Sequence, residues 1–177
     1  MKDVRSKKVI FVAYCLLDQN ARATGIAKYS GPVHEVLETL MRKKVGIIQM
    51  PCPELLHKGL DRLPYPRNWY DNKEFRRVCR RCAQQVVKHV MRYVENKYQV
   101  VGILGIENSP SCAVEVFQSE GKRVKLVKSK GIFIEELLEE FRSKGLNNIP
   151  IIEMHLNRRR IKTTCKELEK LVTSLEL

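Results

Sequence analysis

Strand-length apolar runs alternate along this chain with segments of helical periodicity, and that alternation restricts the folds open to it more than any other feature. The runs are Val9-Ile10-Phe11-Val12-Ala13, Val45-Gly46-Ile47-Ile48 and Val100-Val101-Gly102-Ile103-Leu104, with Ile149-Pro150-Ile151-Ile152 further on. Continuous apolar runs of this length fit strands buried on both faces. Between them Val33, Val36, Leu37, Leu40 and Met41 repeat at helical spacing, as do Phe75, Val78, Cys79, Cys82, Val86, Val90 and Tyr93. Such alternation builds a parallel sheet with helices on both faces. We therefore expect a three-layer α/β fold, flavodoxin- or Rossmann-like, with a mostly parallel four-stranded sheet in the order 2-1-3-4.

Residues 8–14 predict the first strand and 18–31, with Gly25 and Gly31, a loop. Pro32 suits the first turn of a helix over 32–43, and a second strand follows at 45–50. The stretch 53–70, with Pro64 and Pro66, reads as a long loop of the kind that forms lids or walls. Asp71 and Glu74 make a capping-box pattern for a helix over 72–96, and the third strand spans 98–106. Alternation over 114–128 around Glu120-Gly121-Lys122 predicts an exposed hairpin inserted before a helix at 131–144, with Gly145 at its C′ position. The fourth strand is 149–154, and Thr164 with Glu167 caps a final helix to about residue 175. No repeat, linker or low-complexity segment divides the chain, so 1–177 reads as a single α/β domain.

Cys15, Cys52 and Cys112 each lie just beyond an apolar run. In a parallel sheet those positions share the carboxyl-end edge, where such folds build ligand sites. Three converging thiolates make a soft metal site with fewer protein ligands than a closed tetrahedral centre. A cysteine at a strand end can also be a small core hydrophobe. Local context favours a site: Pro51-Cys52-Pro53-Glu54 brackets one thiol with prolines, and Ser109-Pro110-Ser111-Cys112 sets another among hydroxyls. Cys79, Cys82 and Cys165 fall in helical stripes and read as core, since a redox CxxC wants a helix N-terminus. The histidines at 34, 57, 89 and 155 show no ligand spacing; only His57, in the long loop, is near a candidate cysteine.

Lys and Arg number 33 against 20 acidic residues, a formal charge of +13. The bases are spread, with small clusters at Arg76-Arg77, Arg80-Arg81 and Arg158-Arg159-Arg160. Two readings stay open, a solvated basic surface and a polyanionic partner such as RNA. The charged start is followed by an apolar run of strand length only, which predicts a cytoplasmic protein with no membrane partner and six reduced cysteines.

The motifs Cys15-Leu16-Leu17, Cys52-Pro53-Glu54 and Ser109-Pro110-Ser111-Cys112, in this order, resemble the thiouracil desulfurase family. Asn20, Arg22 and Gly25 match its first loop. The stretches Gly59-Leu60-Asp61-Arg62, Phe75-Arg76-Arg77 and Gly131-Ile132-Phe133-Ile134-Glu135-Glu136 resemble its archaeal and clostridial branch. The resemblance covers residues 9 to about 155 and implies an oxygen-sensitive [4Fe-4S] cluster held by Cys15, Cys52 and Cys112, with one iron open to a substrate sulfur. It implies an enzyme that releases hydrosulfide from a thiolated nucleobase-like or other thiocarbonyl small molecule. Glu54 is the candidate base, with Ser109 and Ser111 positioning water or substrate. Asn20, Arg22 and Asn108 are candidates for binding substrate. The chain departs from the family at Asp18 and Ala113, where glycine is usual. The competing readings are an RNA-associated protein acting on or binding thiolated tRNA, and a metal-binding protein without turnover.

Overall fold

The computed structural model describes residues 3–120, 123–157 and 159–174, with the backbone alone over 116–128. In chain order the elements are β1 (Lys8–Val12), α1 (Tyr14–Leu17), a 3-10 turn (Gln19–Ala21), α2 (His34–Arg42), β2 (Gly46–Gln49), α3 (Pro53–Lys58), α4 (Arg67–Tyr70) and α5 (Lys73–Glu95). Then come β3 (Gln99–Ile106), β4 (Val116–Glu120), β5 (Arg123–Ser129), α6 (Ile132–Ser143), β6 (Ile151–Met154) and α7 (Ile161–Ser174).

β2, β1, β3 and β6 form a four-stranded sheet in that order, and every pairing is parallel. This is the expected 2-1-3-4 arrangement. Ile10, Phe11 and Val12 of β1 and Ile103 and Leu104 of β3 are fully buried, because the two central strands are covered on both faces. α2 packs with α7 and α5 with α6, which supplies the two helical layers. The stripe of α5 sends Phe75, Cys79, Cys82, Ala83, Val86, Val87 and Val90 into the core. β4 and β5 make the inserted antiparallel hairpin. Gly121 and Lys122, its expected turn, lie outside the described residues.

Several boundaries differ from expectation for local reasons. The first strand stops at Val12, and Cys15 is carried instead on one turn of helix, α1. Pro32 precedes α2 rather than opening it. The 53–70 segment is not one loop. Pro53 stands at the first helical position of α3, and the Cys52 sulfur accepts from the Leu55 N–H at 3.5 Å, so the Cys52-Pro53 pair starts a helix. Asn72, not Asp71, caps α5, accepting from the Phe75 N–H at 3.0 Å. Asp71 is drawn away by Arg76 at 2.6 Å and Arg67 at 2.8 Å. α7 starts at Ile161, three residues before the expected cap; the Thr164 hydroxyl bonds back to the Arg160 carbonyl.

Candidate functional site

Sheet register levels two of the thiols. Val12 pairs with Gln49, and Cys15 and Cys52 each lie three residues beyond their member of that pair. The third arrives by a turn: after Ile106 the chain reverses, and the Cys112 carbonyl accepts the Ile106 N–H at 3.2 Å. Asn108 makes that reversal in the left-handed region, φ +57°, a conformation asparagine tolerates. Two glycines let the turn lie this close. A Cβ on Gly105 would fall 2.2 Å from the Cys112 carbonyl oxygen, and one on Gly131 2.3 Å from that of Ser111.

The three thiols line one cavity of about 320 Å³, together with Glu54, Ser109 and Ser111. Burial pushes the Cys15 thiol up to about 12 and the Cys52 thiol up to about 11. Cys112 is raised well above its ordinary value, by burial first and then by the neighbouring Cys52 and Cys15. Each would-be thiolate thus disfavours another's charge, which a cation bound among them would offset.

Glu54 shares the cavity lining with the thiols and the serines, its side chain 12% exposed. The hydroxyls of Ser109 and Ser111 donate to its Oε1 at 3.1 and 2.6 Å. Ser109 Oγ in turn accepts the N–H groups of Ser111 and Cys112, at 3.2 and 3.0 Å, and so shapes the turn. The second carboxylate oxygen, Oε2, lies 3.6 Å from Arg62 Nε. Arg22 and Asn108 also reach the cavity wall, and Arg22 Nη1 is buried there without a hydrogen-bond partner.

Asn20 does not reach it. It is exposed, and its backbone N–H and Nδ2 both donate to Asp18 Oδ1, at 3.0 and 2.8 Å. The Asp18 side chain caps the 3-10 turn, a local structural role for that residue. His57 packs its ring 5.3 Å from that of Phe75, outside the cavity lining. Cys79 and Cys82 are buried in α5, and Cys165 donates to the Glu35 carbonyl. Arg62 and Tyr65 are wall residues that received no role from the sequence. Their segment has no periodicity, so the sole signal was the Gly59-to-Arg62 motif of the resemblance.

The donor set fits an iron–sulfur cluster: three thiols around a common space, with two guanidinium groups in the wall to balance thiolate charge. Among the described residues no group of three His, Cys, Asp or Glu is spaced to hold one metal ion. Nor is any helix among them long and apolar enough to cross a membrane.

No protein-family model matches the chain, and no solved structure matches it at a significant level. An uncharacterized protein of Methanocaldococcus jannaschii, MJ0003, is 31% identical over 169 residues, spanning 96% of this chain and 99% of that protein. Near-complete coverage of both chains at this identity makes the two members of one family, and the chain described here belongs to the family of MJ0003.

Proposed function

We propose that the chain is an iron–sulfur-dependent desulfidase that removes sulfur as hydrosulfide from a thiolated nucleobase-like or other thiocarbonyl small molecule. One observation carries this reading: three thiols from three separate strand ends line a single cavity beside a carboxylate and two hydroxyls. Cys15, Cys52 and Cys112 would hold a [4Fe-4S] cluster. When bound, that cluster supplies a soft Lewis-acidic iron whose fourth position is left free by the missing thiolate.

The chain's own residues provide the proton chemistry. Glu54 Oε1 is saturated by the two serine hydroxyls, so Oε2 is the atom left to take a proton from the attacking water. Ser109 and Ser111 hold the carboxylate in place, and Arg22 and Asn108 in the wall orient the substrate. Water adds to the thiocarbonyl carbon, the C–S bond breaks, and sulfur leaves as hydrosulfide with no electrons gained or lost.

Anaerobic reconstitution tests the site. The wild-type chain should bind about four irons and release sulfide from 2-thiouracil. Cys15→Ala, Cys52→Ala and Cys112→Ala should lose most of that iron. Cys79→Ala and Cys82→Ala should keep it, at a stability cost of about 1 kcal/mol for one methylene-sized group each. Full iron in the first three with loss in the last two would overturn the assignment. Iron binding without sulfide release would favour a metal-binding protein without turnover.

The charge of +13 supports a second reading, an RNA-associated protein acting on thiolated tRNA. Two of its arginines are already engaged: Arg76 pairs with Asp71, Glu135 and Glu136, and Arg80 with Glu136. RNA affinity that falls steeply with salt would support that reading, and a flat response would end it.

A further inference from the structure

Arg62 occupies an unusual place for a charged residue. Its side chain is only 3% exposed, yet its hydrogen bonds to oxygen go to neutral carbonyls: Nη1 donates to Gly59 at 3.0 Å and Nη2 to Ala21 at 2.6 Å. Its Nε has no hydrogen-bond partner. A buried guanidinium needs compensation, and the groups that offer it belong to the site. They are Glu54 Oε2 at 3.6 Å and the Cys52 sulfur, 4.0 Å from Nη2.

The segment that carries Arg62 is a strap. Residues 59–66 have no helix or strand, while Pro64, Tyr65 and Pro66 form part of the cavity wall. At one end Gly59 takes φ +79° and ψ −170°, a conformation that only glycine adopts readily, so the strap turns there. Leu60 and Leu63 face solvent and do not hold it down. Tyr65 stacks on Trp69 near its far end, and at its centre Arg62 fastens it twice over: the guanidinium grips Ala21, and the Arg62 carbonyl accepts the Thr24 N–H at 2.8 Å. Both contacts reach the loop that follows Cys15.

We propose that Arg62 is a positioning residue: it seats the 59–66 strap over the three-thiol cavity and, in that seat, fixes Glu54 relative to Cys52. The catalytic half of this statement rests on the desulfidase reading; the seating half does not. Opening the strap uncovers the cavity, so residues 59–66 gate it.

Arg62→Gln and Arg62→Lys separate the two halves. In the protein as purified, chymotrypsin should cut Arg62→Gln after Leu60, the one apolar strap residue not followed by proline, several times faster than wild type. Arg62→Lys should fall between them, because an ammonium restores the charge near Glu54 but not the fork that spans two carbonyls. In reconstituted protein the iron content should fall in Arg62→Gln, because that guanidinium lies beside the Cys52 sulfur, and recover in Arg62→Lys, so sulfide release is expressed per bound iron. The kcat/KM for sulfide release should drop by about a hundredfold in Arg62→Gln, as expected for a misplaced catalytic group, and recover in part in Arg62→Lys. Equal cleavage of wild type and Arg62→Gln would overturn the proposal, as would a lysine variant no better than glutamine. If Arg62→Gln fails to fold, hydrogen exchange on the wild type decides. The Thr24 amide should exchange through a local opening, faster than the α5 amides, and exchange only by global unfolding would sink the strap. If no variant, nor wild type, binds iron or releases sulfide while the cleavage contrast holds, the desulfidase reading fails and the seat of Arg62 stands.

Discussion

A carboxylate that accepts two hydroxyl hydrogens on one oxygen has a defined free side, and that asymmetry gives Glu54 its assigned role. Glu54→Gln keeps the shape and the serine contacts but cannot take a proton. It should retain iron and lose about 10²–10⁴-fold in sulfide release, the usual worth of a general base, as read by anaerobic sulfide assay. Ser111→Ala should cost less, because Ser109 still donates to the same oxygen. At this scale the sequence was readable where chemistry and backbone coincide. Cys52 lies between two prolines and Cys112 among serines, so each thiol carried its own local signal. Arg62 carried none. Its importance comes from burial against Gly59 and Glu54 of its own stretch and against Ala21, 41 residues away, contacts that the residue pattern does not encode.

Elements place the thiols by packing as much as by hydrogen bonding. The Ser111–Cys112 backbone passes against Gly105 of β3 and Gly131 before α6, with no room for a side chain at either. Gly131→Ala should therefore destabilise the chain by about 1–3 kcal/mol and lower its iron content, although no ligand is altered; thermal melts and iron analysis check both. A second tie holds α4, α5 and α6 together through Arg67, Asp71, Arg76, Glu135 and Glu136. The hydrogen bond from Arg76 holds the Asp71 carboxyl below its ordinary value, aided by Arg67. Asp71 then contributes stability above the unfolded carboxylate value of about 3.9 and loses it as the pH falls through the lower folded value. Asp71→Asn should be less stable than wild type near neutrality by about 1 kcal/mol, and the gap should close in acid. Denaturant midpoints measured across pH would show it. The expected capping box at Asp71 failed for the same reason: Arg67 and Arg76 hold its carboxylate, and Asn72 capped the helix instead.

For the whole molecule, strand order decides which residues meet. The order β2-β1-β3-β6 sets the three cysteine-bearing strand ends side by side, and the sequence allowed this because parallel crossovers leave few alternatives. The helical content of 53–70 was harder to read, since α3 and α4 are single-turn pieces stabilised by Pro53 and by stacked aromatic rings. Net charge is a property of the same scale. If the chain binds RNA, Arg81→Ala, at an exposed position, should reduce the salt slope by about one, while Arg80→Ala, whose charge faces Glu136, should leave it unchanged in a filter-binding titration.

The chain has one tryptophan. Trp69 is 42% exposed and lies face to face with Tyr65, ring centres 4.0 Å apart and planes 9° from parallel, and Tyr65 itself lines the cavity. An occupant that reaches Tyr65 shifts the ring stacked on the indole and so alters its surroundings. The protein thus contains its own optical gauge: emission from a single native chromophore should track loading in real time, with no label attached.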